Sequence, residues 1–279
     1  AYVEGRADDP RDAAQPLVWV DRRGTEQVLS ESRQRYSKPR LSADGHTLFV
    51  EVADPEAAIW SYNMDRGTLT RESNGGVSYG PIPSPDGQKL AYEATRDGVA
   101  GVMLSQVDGS GEQRLSSTKR LHVPTSWTSD GTAVAATASA ESGYLEVWLI
   151  PLSGEHKPQV LVQGPFNAGG ARFSLDGHWM AYVSDESGRN EVYLRGYPQP
   201  GPRIQISVEG GTSPVWSHNG RELFFRNGDQ ILVVSMTLGA QAVAGKPQVL
   251  FSKLIVDDPS GPAYNMTADF DVSPDEQRF

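Results

Sequence analysis

Hydrophobic and polar positions alternate in short runs along the whole chain, which is the pattern of half-buried β-strands. Residues 89–92 (KLAY) and 222–225 (ELFF) are two such runs. Clusters of Gly, Asp, Asn and Ser separate the runs, as at residues 185–188 (DESG). Such clusters form turns, and helical periodicity is missing between them. The pattern therefore predicts an all-β protein.

One turn phrase recurs through the sequence: Ser or Thr, any residue, Asp or Asn, then Gly. The Asp side chain can bond the backbone of a tight turn, and Gly accepts the positive φ that closes a hairpin. In the last copy, Glu276 replaces the Gly, and in the copy before it Asn219 replaces the Asp. The copies lie at residues 42–45, 84–87, 128–131, 174–177, 217–220 and 273–276.

Each period of forty-odd residues carries four predicted strands, which is the size of one blade of a β-propeller. We therefore predict a single domain over residues 1–279, a six-bladed β-propeller of four-stranded antiparallel blades. Residues 17–20 and 27–29 have the pattern of third and fourth strands, and residues 270–273 that of a first strand. The N- and C-terminal strands are thus expected to share one blade and close the ring.

The longest spacing between turn phrases contains a Pro-, Gly- and Asp-rich stretch at residues 256–262, which is expected to be an inserted loop. Both ends of the chain read as interrupted strands. The sequence is therefore expected to be a domain excised from a longer protein.

The repeat resembles that of the TolB-type β-propellers, a WD-like repeat family. Residues 213–220 (SPVWSHNG) and 176–195 (DGHWMAYVSDESGRNEVYLR) carry the resemblance, which extends over nearly the whole chain. Residues 17–24 (LVWVDRRG), 210–216 (GGTSPVW) and 270–279 (FDVSPDEQRF) are also similar to propellers fused to bacterial serine/threonine protein kinases. That resemblance implies a sensor or protein-interaction domain, and it favours an extracytoplasmic or periplasmic location.

Composition narrows the choice of function. The chain has 25 Lys and Arg against 35 Asp and Glu, a net charge of −10, which argues against nucleic-acid binding driven by phosphate contacts. No apolar stretch approaches the roughly 20 residues that cross a bilayer. Cysteine is absent, and the strand–helix alternation of the α/β domain that holds the catalytic Ser of peptidases of the prolyl-oligopeptidase type is missing. We therefore assign no catalytic residue.

The loops that lead into the inner strands of a propeller form one mouth of its central channel. Binding concentrates on loops that a rigid scaffold holds in place. Hard cations such as Ca²⁺ prefer carboxylate and carbonyl oxygens, so Asp269 and Asp271 are candidate ligands for a calcium ion in the channel, the one candidate cofactor. Repeat position assigns six ligand-binding candidates to the mouth: Lys38, Tyr79, His122, Arg172, Ser213 and Asp269.

These features predict a non-catalytic binding or scaffold propeller that engages a protein or peptide, as the sensor domain of a larger signalling protein. Two alternatives stay open: a hydrolase or lyase with a metal-assisted site at the channel mouth, and the propeller cap of a prolyl-oligopeptidase-type peptidase. A catalytic propeller needs charged or metal-binding residues that converge. The mixed character of the six mouth positions favours binding.

Overall fold

The computed structural model describes residues 2–3, 14–53, 55–116, 122–154, 157–253 and 261–279. Within these ranges the secondary structure is β, apart from the short helix α1 (Pro262–Asn265). The strands form six antiparallel sheets. The first sheet consists of β1 (Tyr2–Val3), β2 (Gln15–Val20) and β3 (Glu26–Gln34).

Five further sheets have four or more strands each and are complete blades. Blade 1 contains β4 (Tyr36–Leu41), β5 (Thr47–Ala53), β6 (Ala57–Asn63) and β7 (Thr68–Arg71). Blade 2 contains β8 (Ser78–Pro83), β9 (Lys89–Arg96), β10 (Val99–Gln106) and β11 (Gln113–Arg114). Blade 3 contains β12 (His122–Trp127), β13 (Ala133–Ser139), β14 (Leu145–Pro151) and β15 (Gln159–Val162).

Blade 4 contains β16 (Ala168–Phe173), β17 (Trp179–Ser184), β18 (Glu191–Gly196) and β19 (Ile204–Gln205). Blade 5 contains β20 (Thr212–Trp216), β21 (Glu222–Asn227), β22 (Gln230–Thr237), β23 (Val243–Ala244) and β24 (Gln248–Ser252). Both β23 and β24 pair with β22.

The hydrophobic core is divided among the interfaces between neighbouring blades. Trp179 and Leu194 of blade 4, for example, pack in one cluster with Leu223, Phe225 and Val234 of blade 5. Successive side chains of a strand point to opposite faces of its sheet, so each sheet can present apolar side chains to both neighbouring blades. Burial between blades thus holds consecutive sheets in a fixed order.

The six turn phrases form the same hydrogen-bonded hairpin. In the first copy the Ser42 hydroxyl donates to Asp44 Oδ1 at 2.6 Å, and Asp44 Oδ1 accepts the N–H of His46. Ser42 Oγ also accepts the N–H of Thr47 at 3.0 Å. The hydroxyl-to-carboxylate bond, or its amide equivalent at Asn219, recurs in the other five copies.

The two departures from the turn phrase are partners in the structure. Asn219 donates its backbone N–H to Glu276 Oε1 at 2.8 Å and its side-chain amide to Oε2 at 2.6 Å. Glu276 has a φ of 61°, a conformation that favours glycine. The two hydrogen bonds to Asn219 offset the energetic cost of this backbone conformation for a residue that has a side chain.

The prediction of six equivalent four-stranded blades differs from the observed architecture, which has five complete blades and one three-stranded sheet. Residues 270–273 were expected to form a strand, but no regular strand is present there. The last segment, residues 267–279, follows α1 and ends beside β2. There Val20 and Phe279 exchange two backbone hydrogen bonds of 3.0 and 2.8 Å. Most of the insertion expected at residues 256–262 lies outside the described residues.

Candidate functional site

The first strands of the five blades and residues 267–273 together form a closed ring around a channel. Strands β4, β8, β12, β16 and β20 contact one another in that order. Ser213 Oγ of β20 donates to the Thr267 carbonyl at 3.1 Å, and Arg40 Nη2 of β4 donates to the Ala268 carbonyl at 2.8 Å. The last segment therefore fills the gap between blade 5 and blade 1.

A β-bulge interrupts each of these five strands at an equivalent place, for example between Ser37 and Arg40 in β4 and between Thr212 and Val215 in β20. Bulges change the direction of side chains and strengthen the local twist. Lys38 and Ser213 adopt φ values of 50° and 59° inside their bulges. The bulges thus set which side chains reach the channel.

Counting back from the Ser or Thr of each turn phrase places equivalent residues at one height in the ring. We call the residues four positions before it the lysine level and those two positions before it the arginine level. The lysine level consists of Lys38, Gly80, Pro124, Gly170, Ser213 and Asp269. The arginine level consists of Arg40, Ile82, Ser126, Arg172, Val215 and Asp271.

The six predicted mouth residues therefore do not share one height. Lys38, Ser213 and Asp269 lie on the lysine level, whereas Arg172 lies on the arginine level. Tyr79 and His122 come one and two residues before the lysine level. Sequence reasoning also missed Arg40, which counting back from the turn serine would have found.

Helix α1 covers the mouth where the inner strands begin. Ala263 and Met266 pack in one cluster with Val123 and Val183, and Tyr79 packs against that cluster. Gly170 (φ 61°) leaves room for this segment, because a Cβ there would lie 2.2 Å from the Met266 carbonyl oxygen. The turn phrases border the opposite mouth, and Asp44, Asp86 and Leu175 in them are exposed.

His122 is a buried structural residue. Burial lowers the pKa of its imidazole to about 4. Its Nδ1 lies 3.2 Å from Ser116 Oγ, but that hydroxyl accepts the N–H of Val102. Ser73 and Ser207 accept an N–H at the equivalent positions of blades 1 and 4. The Ser116 hydroxyl is therefore a structural acceptor that recurs in the repeat.

Five charged residues lie close together on the two levels. Lys38 is 2% exposed, and its Nζ lies 2.6 Å from Asp269 Oδ1. Asp271 Oδ2 accepts the N–H of Leu41 at 2.9 Å. Burial lowers the pKa of Arg40, while Asp271 and Asp269 act in the opposite direction. These contacts join the last segment to blade 1.

Arg172 faces Arg40 across the channel, since β16 and β4 are three steps apart in a ring of six segments. Burial, and then the positive charge of Arg40, lower the pKa of Arg172 to about 9, and Asp271 opposes this shift. Two like charges that face each other in a low-dielectric interior repel. On the arginine level, the two guanidinium groups of Arg40 and Arg172 thus face the single carboxylate of Asp271.

Four buried polar atoms on these levels have no hydrogen-bond partner among the described residues: Arg40 Nε, Ser126 Oγ, Arg172 Nη2 and Asp269 Oδ2. Buried polar groups are nearly always paired in folded proteins. These four atoms lie on neighbouring levels of the ring, which makes this part of the channel the candidate binding site.

Calcium binding at Asp269 and Asp271 stays a prediction. Within the described part of the chain, no group of three His, Cys, Asp or Glu side chains could hold a metal ion. The Lys38 ammonium also bonds the Asp269 carboxylate, where it competes with any cation.

No protein-family model matches the chain. Over 108 residues it is 29% identical to the Tol-Pal system protein TolB of Anaeromyxobacter dehalogenans (strain 2CP-C), a match that covers 37% of this chain and 24% of the relative. The structure of a putative TolB from Agrobacterium tumefaciens superimposes with a TM-score of 0.76 at 17% identity, over 96% of this chain and 97% of that one. The chain has a TolB-like β-propeller fold.

The same TolB-like fold occurs inside larger proteins. A Mycobacterium tuberculosis puromycin-hydrolyzing peptidase matches with a TM-score of 0.60 at 17% identity, over 91% of this chain but 45% of the peptidase. The match to the curated TolB spans about a quarter of that relative's length. In the described ranges, no helix of this TolB-like chain is long and apolar enough to cross a membrane.

Proposed function

We propose that the chain is a non-catalytic binding or scaffold propeller that engages a protein or peptide at the turn-side mouth of its channel, outside the cytoplasm, as the sensor domain of a larger signalling protein. The observation that carries the proposal is the channel wall, where Arg40, Ser126 and Arg172 present buried polar atoms without partners in the described structure. A rigid ring holds these atoms in place before any ligand arrives, which lowers the entropic cost of binding. Partial identity to a Tol-Pal system protein supports a protein partner.

The alternative of a metal-assisted hydrolase or lyase has less support from the geometry. Of the charged residues in the channel, Asp269 is paired with Lys38, and Asp271 accepts the N–H of Leu41. His122 is buried and its ring lies against that of Trp148, with the ring centroids 5.4 Å apart. The alternative of a peptidase cap is supported by the fold alone, and the sequence flanking this chain in its gene decides it.

We also propose that the sheet of β1, β2 and β3, together with residues 267–279, acts as the sixth blade of the ring. Phe279 is 1% exposed and contacts the rings of Phe224, Phe251 and Phe270. Its backbone pairs with Val20, so both ends of the chain contribute to one closing unit. Amide hydrogen exchange at Val20 and Phe279 tests this closure.

Site-specific photocrosslinking in the source cells tests the binding proposal. Leu175 is 66% exposed in the turn phrase of blade 4, and we expect p-benzoylphenylalanine at this position to capture a discrete protein partner. The matched control carries the same group at Val249, which is 52% exposed on the outer strand β24. Equal capture from both positions, or none from position 175, would refute binding at the turn-side mouth.

A further inference from the structure

We propose that the arginine level binds a carboxylate, so that the channel selects ligands with an acidic side chain or a free C-terminal carboxylate. This inference rests on the proposed function and specifies the chemistry that the same site recognises. A carboxylate could also come from a small free organic acid, and the experiment below separates the two sources.

The hydrogen-bond donors needed for such a group are present at one height in the ring. Arg40 Nε, Ser126 Oγ and Arg172 Nη2 belong to the arginine level on β4, β12 and β16, and each is buried without a partner among the described residues. Carboxylate oxygens accept several hydrogen bonds at once, and arginine presents its N–H groups in a fixed fork. The three donors match an acceptor-only ligand.

The Arg40 side chain is anchored and therefore preorganised. It is 4% exposed, and Nη1 donates to the Pro39 carbonyl at 2.6 Å while Nη2 donates to the Ala268 carbonyl at 2.8 Å. The Nε–H group of Arg40 takes part in neither of these bonds. A ligand would thus meet a guanidinium group whose orientation two backbone carbonyls already fix.

Charge on the arginine level favours an anion over a cation. The level has two guanidinium groups and one carboxylate, and that carboxylate, Asp271, already accepts the N–H of Leu41. An anion between the guanidinium groups would offset the repulsion between Arg40 and Arg172. Such charge-assisted hydrogen bonds are stronger than neutral ones, and more so away from bulk water.

Arg172 is the residue to change, because Arg40 also joins blade 1 to the last segment. In the free protein, Arg172→Gln removes one of two facing positive charges, and the backbone carbonyl of residue 172 still accepts the Trp216 indole N–H. We therefore expect the free variant to melt at the same temperature as the wild type or higher. A purely structural arginine would give a lower melting temperature instead.

The experiment is a thermal melt of the whole chain with sodium succinate, with a short N-acetylated peptide ending in a free glutamate, and with the same peptide ending in glutamine amide. Sodium chloride keeps the ionic strength equal. A ligand that binds only the folded state raises the melting temperature. We expect the acidic peptide to raise it, the amide not to, and Arg172→Gln to weaken binding of the acidic peptide by about tenfold or more. Arg66→Gln, an exposed arginine outside the channel, is the matched control and should behave as the wild type.

The possible results distinguish the carboxylate site from the proposed binding function. Stabilisation by succinate as well as by the acidic peptide supports the carboxylate site and assigns it to small acids too. Stabilisation by none of the carboxylates, or equal stabilisation of the wild type and Arg172→Gln, overturns the carboxylate site. If photocrosslinking at Leu175 still captures a partner in that case, the binding propeller stands and only its ligand chemistry is wrong.

Discussion

At the scale of single residues, the turn phrase works because one carboxylate oxygen completes a local hydrogen-bond network. Ser84 donates to Asp86 Oδ1 at 2.5 Å, and the same oxygen accepts the N–H of Gln88 at 3.1 Å. The Ser84 hydroxyl and then this N–H lower the pKa of Asp86. Hydroxyl donation is likewise the main cause of the lowered pKa of Asp44, Asp130 and Asp275.

Replacing Asp86 by Asn should remove a pH-dependent part of the stability without breaking the turn, since Asn219 makes the same bonds in its own copy. Because folding lowers the pKa of Asp86, its carboxylate stabilises the fold above the unfolded value of about 3.9 and ceases to do so as the pH falls through the lower folded value. The measurement is the melting temperature between neutral pH and acid. We expect the wild type to exceed Asp86→Asn near pH 7 by an amount that shrinks below about pH 4.

The control for this comparison is Glu56→Gln, which removes an exposed carboxylate outside the turns. A difference between wild type and Asp86→Asn that is the same at every pH would contradict the role assigned to the turn carboxylate.

At the scale of elements, neighbouring blades are joined by an indole hydrogen bond that follows the repeat. Trp127 Nε1 donates to the Ile82 carbonyl at 2.9 Å, and Trp216 Nε1 donates to the Arg172 carbonyl at 3.1 Å. Both tryptophans come directly before the Ser or Thr of a turn phrase, and both acceptors are on the arginine level of the preceding blade. These two indole bonds thus fix the position of one inner strand along the channel axis relative to the inner strand of the preceding blade.

Trp216→Phe removes this bond while keeping an aromatic ring in the interface. The Arg172 carbonyl then loses its partner, so the free energy of unfolding should fall by about 1 kcal/mol. Chemical denaturation measures it. Trp148→Phe is the control, because the Trp148 indole bonds Glu146 within its own strand and joins no two blades. An unchanged free energy of unfolding in Trp216→Phe would show that the bond between blades adds nothing.

Much of the element layout could be predicted from the sequence. The turn phrase and the alternation of residues in strands such as β9 and β17 are local, so strands and hairpins follow from neighbouring residues. Helix α1 was missed, since four residues carry no helical period. Its position depends on distant partners such as Val123 and Val183.

The site residues predicted from repeat position lie at different heights in the ring. Asp269 and Arg172 are on the lysine and arginine levels, whereas Tyr79 and His122 come one and two residues before the lysine level. Arg40 was missed although counting back from the turn serine reaches it. Its bonds to the Ala268 and Phe270 carbonyls, about 230 residues away, could not be predicted from neighbouring residues. Repeat position predicted that the site lies along the inner strands. The β-bulges in those strands determine which side chains come together there.

At the scale of the whole molecule, the proposal is that the two ends of the chain complete one ring. Lys38 of blade 1 pairs with Asp269, Ser213 of blade 5 bonds Thr267, and Phe279 pairs with Val20. The channel and both of its levels exist only if this closure holds. The proposed binding function therefore depends on the same contacts as the fold.

Amide hydrogen exchange at Val20 and Phe279 tests this closure most directly. Each N–H donates to the other residue's carbonyl, at 3.0 Å and 2.8 Å, so both should open only with the whole fold. We predict exchange as slow as in the centre of β13, and much faster exchange at Gln277, whose N–H donates to the exposed Asp275 side chain. If Val20 and Phe279 exchanged as fast as Gln277, the ends would not close the ring.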